Sequence, residues 1–211
     1  MNAWDEMYLE HGEVFSNPAN EVKKIVPELF RRNVKYVLDS GSGTGRNANY
    51  LAEFGFKVTA VDYSVTAIKI AKSRNNSQNV KYVNGNISKL PLARESIDFI
   101  VSNHSLGYLD GEINEAVKEH TRVLKKDGLF LLRVASTEHP LNGVPIEKID
   151  GFSNIANFLK MGQHFHFFDK KELEELYSDY NIIKLRHIRG KPYNRVTYPL
   201  REWLLICEKS G

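Results

Sequence analysis

Two spacings of apolar residues alternate along most of this chain. Short, nearly continuous apolar runs at about 34–39, 57–61, 80–84, 97–102 and 128–135 have the length and β-branched content of buried strands. Between them, the stretches near 45–54, 64–75 and 111–125 repeat apolar positions every three to four residues, as helices do. In the last of these, Ile113, Ala116, Val117, His120, Val123 and Leu124 share one stripe, and Lys125-Lys126-Asp127-Gly128 ends it. Strands separated by helices predict an α/β fold built on a parallel sheet. Ahead of the first strand, Asn17-Pro18 reads as a helix start, with Asn as N-cap and Pro at the first helical position, and that helix runs to about Arg32. From Ala135 to about Gly162 the periodicity fades, and a stretch of that length predicts a lid or substrate-binding insertion with some helix over 136–163. Asp169-x-x-Glu172 forms a capping box before Leu173, Leu176 and Tyr177, and strand-like stretches at about 181–189 and 197–208 are expected to pair as an antiparallel hairpin. One domain, 1–211, accommodates all of it.

Chemistry concentrates where the first strand breaks. Val37-Leu38-Asp39-Ser40 runs into Gly41-Ser42-Gly43-Thr44-Gly45-Arg46-Asn47, a glycine-rich turn that opens a helix. Glycines leave no Cβ to block close approach, and the helix start presents unpaired N–H groups and a positive dipole end. A nucleoside-type cofactor is the expected occupant. The second strand ends in Asp62, about twenty residues past the first glycine, where a carboxylate can accept ribose hydroxyls. Dinucleotide-binding turns read G-x-G-x-x-G, whereas here the third glycine falls one residue early and Arg46 holds the dinucleotide position, which argues against a nicotinamide oxidoreductase.

The D-x-G-x-G-T-G form of this turn resembles the first motif of class I S-adenosylmethionine (SAM)-dependent methyltransferases. Gly85-Asn86-Ile87-Ser88-Lys89-Leu90-Pro91 and Ser96-Ile97-Asp98-Phe99 resemble that family's G-D-x-x-x-L-P segment and S-F-D strand, with asparagine at 86 where the family usually has aspartate. Trp4-Asp5-Glu6-x-Tyr8, Gly45-Arg46-Asn47-Ala48 and Asp62-Tyr63-Ser64 are similar to small-molecule members, among them the tellurite-resistance and thiopurine methyltransferase relatives and the type 11, 12 and 25 methyltransferase domains. The resemblance implies a three-layer, Rossmann-like sheet of seven strands, five parallel and then an antiparallel C-terminal pair. It implies a cofactor site made of Asp39, Gly41, Ser42, Gly43, Gly45, Arg46, Asp62 on the ribose, Tyr63, Asn86 on the adenine amine, Ile87 against the adenine ring, and Asn103. Residues 1–33 would supply an N-terminal lid and helix, with Trp4 and Tyr8 over the cofactor, whose sulfonium a π-face attracts. S-adenosylhomocysteine (SAH) would be the product.

Ser102-Asn103-His104-Ser105-Leu106-Gly107-Tyr108 follows the fourth strand, where the family places groups beside the methyl. Methyl transfer is an in-line displacement that alignment in a dry pocket accelerates, so a base is optional; His104 is the candidate. Tyr108, with His164 and His166 from the alternating segment His164-Phe165-His166-Phe167-Phe168, is a candidate for the substrate pocket. No third ligand stands at metal spacing, so no metal site is expected. His120 and Cys207 read as packing residues. There is no Asn/Asp-Pro-Pro-Tyr motif and no Pro-Cys nucleophile, which argues against amino methylation of nucleic acid and against cytosine-C5 methylation.

The 211 residues, 42% apolar, suffice for one sizeable core. A net charge of +3 without long like-sign runs gives no nucleic-acid footprint. The locally basic stretch Lys184, Arg186, His187, Arg189, Lys191 and Arg195, interleaved with Tyr193 and Tyr198, reads as a solvated strand edge rather than an RNA surface. One cysteine excludes an internal disulfide framework, and no signal-peptide pattern or membrane-spanning run is present, so a cytoplasmic monomer or homodimer is expected. The function these readings favour is transfer of the SAM methyl to the N, O or S atom of a small molecule. An inactive SAM- or SAH-binding sensor or partner subunit is the alternative, and an RNA-modifying enzyme ranks behind both.

Overall fold

In the computed structural model, which describes residues 2–13, 16–75, 77–151, 153–192 and 196–211, each apolar run becomes a strand of one sheet. The elements are α1 (Ala3–His11), α2 (Asn20–Arg31), β1 (Tyr36–Ser40), α3 (Arg46–Glu53), β2 (Lys57–Asp62), α4 (Val65–Arg74), β3 (Val80–Asn84) and β4 (Ile97–Asn103). They continue with α5 (Ile113–Val123), β5 (Leu124–Ala135), α6 (Asn154–Lys160), α7 (Lys170–Leu176), β6 (Tyr180–Gly190) and β7 (Leu200–Lys209). The sheet order is β3-β2-β1-β4-β5-β7-β6, parallel through β5, with β7 antiparallel to both of its neighbours. The expected hairpin is present, and its second strand is inserted beside β5.

Because side chains alternate across a strand, the central strands feed two cores. Val37, Phe99, Val101, Leu129 and Leu131 pack on one face with Val22, Leu29, Ala48 and Leu51 of α2 and α3. Leu38, Ile100, Phe130 and Leu132 pack on the other with Ala116, Val123, Leu173 and Tyr177 from α5, α7 and the turn after it. His120 sits in this second core, its Nε2 2.7 Å from Ser40 Oγ and its ring against Phe130, and Cys207 is buried there. A third cluster, Leu141, Ile149, Ile155 and Phe158 with Ala135 and Phe165, folds the 136–163 segment onto the sheet's C-terminal end. Trp4 and Tyr108 pack on this cluster, so α1 and α6 meet above the same strand ends.

Local departures from expectation have visible causes. α2 begins at Asn20, not at Pro18, since the Ala19 N–H is taken by Asn47 Oδ1 at 3.0 Å and Ala19 serves as N-cap. α5 ends at Val123 because Leu124, fully buried, already pairs with Ile97 as the start of β5, leaving the Lys125–Gly128 turn within the strand. Asp169 caps α7 by accepting from Glu172 N at 2.8 Å, but the Glu172 carboxylate turns to His166 instead of returning to the cap. β6 is an edge strand, which fits the reading of Lys184, Arg186 and Arg189 as edge charges; Arg189 pairs with Glu138 at 2.8 Å. Tyr193 and Arg195 lie outside the described residues. No described helix is long and apolar enough to cross a membrane.

Candidate functional site

The turn after β1 is shaped by its neighbours. Gly41 and Gly43 adopt positive φ (74° and 55°), and the N–H groups of Gly41 and Ser42 both reach the Val61 carbonyl at 2.9 and 3.0 Å. A Cβ on Gly41 would lie 2.3 Å from Ser105 Cβ, and one on Gly43 would lie 2.7 Å from the Tyr8 hydroxyl. The turn, the segment after β4 and helix α1 therefore close on one spot. Gly45 is the N-cap of α3 and has no side chain to offer, so Asp39 Oδ2 accepts from Ala48 N at 3.0 Å, the third helical amide. Burial pushes the Asp39 carboxyl up to about 7. Here the structure corrects the sequence reading: Asp39 and Gly45 build the turn from behind and do not line the cavity.

That cavity, of about 450 Å³, lies at the C-terminal ends of β1, β2 and β4. Gly41, Ser42, Gly43, Arg46, Asp62, Tyr63, Asn86, Ile87 and Asn103 line one part of it, as the sequence led one to expect. Asp62 Oδ2 accepts from Gly43 N at 2.7 Å and Oδ1 from Ser64 N at 2.9 Å, which ties the end of β2 to the glycine turn and fixes the carboxylate. Burial raises its pKa, against the pull of those two amides. Asn86 has both ends of its amide engaged, donating to Glu112 Oε2 at 2.8 Å and accepting from Ser88 N at 3.0 Å, so Glu112 joins this wall although sequence reasoning missed it. Tyr8 lines the cavity beside the turn, its phenol pushed upward by burial and by Asp62. Trp4 makes an edge contact with Tyr108 at 4.5 Å and lies 5.5 Å from Phe158 of α6. Asp5 fastens α1 to the body of the protein, accepting from Ser64 Oγ at 2.7 Å and Thr66 N at 2.9 Å at the start of α4.

The far part is lined by His104, Tyr108, Phe158, His139, Tyr198 and Glu202. His104 is held at φ 62°, an uncommon conformation for a non-glycine residue, with its N–H on the Arg133 carbonyl at 2.9 Å. Its Nε2 lies 3.3 Å from Glu202 Oε1. The other oxygen of Glu202 pairs with Arg133, which pairs in turn with Glu21 at 2.9 Å. Burial pushes His104 down to about 4, against the opposing attraction of Glu202. Burial alone would raise Glu202, but His104 and Arg133 hold its carboxyl below the ordinary value, so it is ionised at neutral pH. His164 and His166 do not line this cavity, contrary to expectation. The segment is irregular apart from a bridge at Phe168, and its apolar rings follow the third cluster inward. His164 stays exposed near Asp110 at 3.8 Å, while His166 is 2.6 Å from Glu172 Oε1.

A parallel sheet reversing between β1 and β4 and completed by an antiparallel β7 inserted between β5 and β6, with a glycine turn after β1 and an acidic residue at the end of β2 facing one crevice, is the class I SAM-dependent methyltransferase architecture. Residues 38–132, a little under half of the chain, match the family model of the methyltransferase domain. Over 145 residues it is 28% identical to the uncharacterized methyltransferase YcgJ of Bacillus subtilis, covering 67% of this chain and 54% of that protein. Among solved structures, TehB from Haemophilus influenzae superposes with a TM-score of 0.69 at 18% identity, over 99% of this chain and 68% of TehB. The 1,6-didemethyltoxoflavin-N1-methyltransferase of Burkholderia thailandensis, solved with its namesake compound and SAH, gives 0.69 at 21% identity over 98% and 85%. The chain spans about half the length of the curated relatives it matches. Its own residues fit such a cofactor. Both amide atoms of Asn103 and the Ser42 hydroxyl are buried without a partner among the described residues, and both residues face the cavity.

Proposed function

We propose that this protein transfers the methyl group of SAM to a small-molecule acceptor. One observation carries the reading: a single cavity joins a wall made of the glycine turn, Asp62 and Asn86 to a chemically different wall of aromatic rings, two histidines and a buried carboxylate. In this proposal Asp62 accepts from the ribose hydroxyls, and Asn103, Ser42 and the turn hold the methionine end. Asn86, Ile87 and Glu112 take the adenine, and Arg46 and Tyr63 border the site. When bound, SAM supplies an activated methyl on a sulfonium. The protein supplies alignment and dryness. Trp4 and Tyr8 of α1, meeting Phe158 of α6, act as the lid, and Tyr108 walls the acceptor side.

Isothermal titration of the protein with SAM and SAH, with NADH as control, tests this. A charged hydrogen bond contributes roughly 1.5–3 kcal/mol, so Asp62→Ala should weaken both by at least about tenfold. Absence of binding to folded protein would sink the cofactor assignment, and unchanged affinity in the variant would remove Asp62 from the site.

A further inference from the structure

Resting on the methyl-transfer reading, we infer that Glu202 of β7 is the positioning residue for His104. We infer further that the far wall selects a compact, uncharged, largely apolar acceptor methylated on a phenol- or enol-type hydroxyl. The observation behind it is the chain Glu21, Arg133, Glu202, His104, which runs from solvent into the cavity through residues from α2, β5, β7 and the segment after β4.

Charge is the first argument. Arg133 pairs with both Glu21 and Glu202, and Glu202, 5% exposed, brings a carboxylate to the cavity wall. An acceptor carrying its own carboxylate would be set against it in a site of low dielectric. The Glu202 carboxylate favours an imidazolium on His104, the form a base takes after accepting a proton, against burial and the neighbouring cations. The other charged or titratable groups acting on His104 are Arg46 from α3, Arg133 from β5 and His139 from the insert, and only Glu202 favours its protonated form.

Tautomers are the second argument. Nε2 of His104 lies 3.3 Å from Glu202 Oε1, outside hydrogen-bond geometry but close enough to the carboxylate that a hydrogen there is favoured over a lone pair, which leaves Nδ1 as the acceptor. His139 is fixed in the same sense. Its Nδ1 accepts from Leu141 N at 3.2 Å, so its hydrogen sits on Nε2 as a donor. One acceptor and one donor on the same wall suit a hydroxyl, which gives a hydrogen to the first and accepts from the second. An amine attacks through its one lone pair and has none left to accept with, so it would leave His139 unanswered. Tyr108 and Phe158, in edge contact at 4.9 Å, supply the apolar flank.

The step balances without a further reactant. The acceptor oxygen forms its bond to the methyl carbon as the carbon–sulfur bond opens and that electron pair stays on sulfur. The hydroxyl proton passes to His104 Nδ1, giving methyl ether, neutral thioether and an imidazolium facing Glu202; water then takes the proton. Glu202 holds the ring in the tautomer and orientation that make Nδ1 available, and stabilises the charge.

Nitrogen-15 spectra of histidine-labelled protein saturated with SAH read the tautomers directly. The expected result is His104 locked as the Nε2–H form in the native chain and averaged in Glu202→Gln, whose amide can donate as well as accept, with Glu202→Asp keeping the lock. An Nδ1–H form in the native protein, or an unaltered lock in Glu202→Gln, overturns the positioning role. SAH affinity by calorimetry should stay within about twofold in both variants. Failure of the native protein to bind SAH would defeat the cofactor reading instead, so the two failures are distinct. Catechol, benzylamine and benzoate then serve as acceptor probes, with SAH release and product mass as readouts. Catechol should be the one methylated, with kcat/KM at least tenfold lower in Glu202→Gln. Preference for benzylamine or benzoate, or turnover of none of the three by protein that binds SAH, overturns the acceptor class.

Discussion

Asp39→Asn should stabilise the free protein at pH 8 and have almost no effect at pH 4. The carboxyl is 1% exposed; one oxygen accepts from Ala48 N, and the other has no partner among the described residues. In the unfolded chain it ionises near 3.8, and burial pushes it up to about 7 in the fold, with the Arg46 guanidinium opposing part of the rise. A raised carboxyl favours folding only while it stays protonated. Its contribution is therefore complete below about pH 4 and is lost as pH climbs through about 7. A carboxyl moved from 3.8 to about 7 costs the ionised fold at most about 4 kcal/mol. Asparagine keeps an oxygen for Ala48 and removes the charge. The gain of the variant over the native protein should grow from near zero at pH 4 towards that ceiling at pH 8. Even a quarter of the ceiling raises the melting temperature by about 2–4 °C in a chain of this size. Melts followed by circular dichroism across pH 4–8 give the comparison. A variant destabilised equally at both ends would refute the reasoning, since it would mean that the ionised carboxylate is the form the fold uses. SAH affinity should change less than about threefold, because Asp39 does not face the cavity.

Three further outcomes are expected. Gly41→Ala places a Cβ 2.3 Å from Ser105 Cβ at φ 74° and should lower stability by about 2 kcal/mol or more in chemical denaturation; a native-like midpoint would show that the close approach of turn and β4 segment is absent in solution. Trp4→Ala removes the ring packed on Tyr108 and Phe158, so the SAH dissociation rate in stopped flow should rise about tenfold with little change in association, whereas an unaltered rate would contradict the lid role. His166→Ala loses the contact with Glu172, about 1 kcal/mol or less, and an edge contact with Phe168, and should leave SAH binding and turnover within twofold; lost turnover would restore the histidine to the pocket.

What could be read from the chain was what local chemistry determines. The glycine turn is legible because only glycine accepts both the positive φ and the close approach, and Asp62 because one strand–helix–strand unit fixes its spacing from that turn. Asp39 was legible as part of the motif but not in its role, which depends on Gly45 leaving the Ala48 amide for another residue to cap. Glu202 and His139 were not legible. Glu202 reaches His104 only because β7 inserts next to β5, setting it opposite Ala135 and within reach of Arg133. A signal existed in Arg133, a charged residue inside the apolar run 128–135, since a guanidinium in a central strand requires a carboxylate from elsewhere in the chain. The alternation at 164–168 misled because aromatic packing on the third cluster, not strand pairing, sets those side chains.

The strand order has a consequence for how the protein is made. β7 follows β6 in the chain yet lies between β5 and β6, so during synthesis β6 has no strand to pair with until the final segment of the sheet has left the ribosome. The wall assigned to the cofactor, drawn from residues up to about 112, is translated long before that moment, while Glu202 arrives with the strand that completes the sheet. The two halves of the site thus become available in sequence during translation. A nascent chain presents the residues assigned to the nucleoside before those assigned to the acceptor.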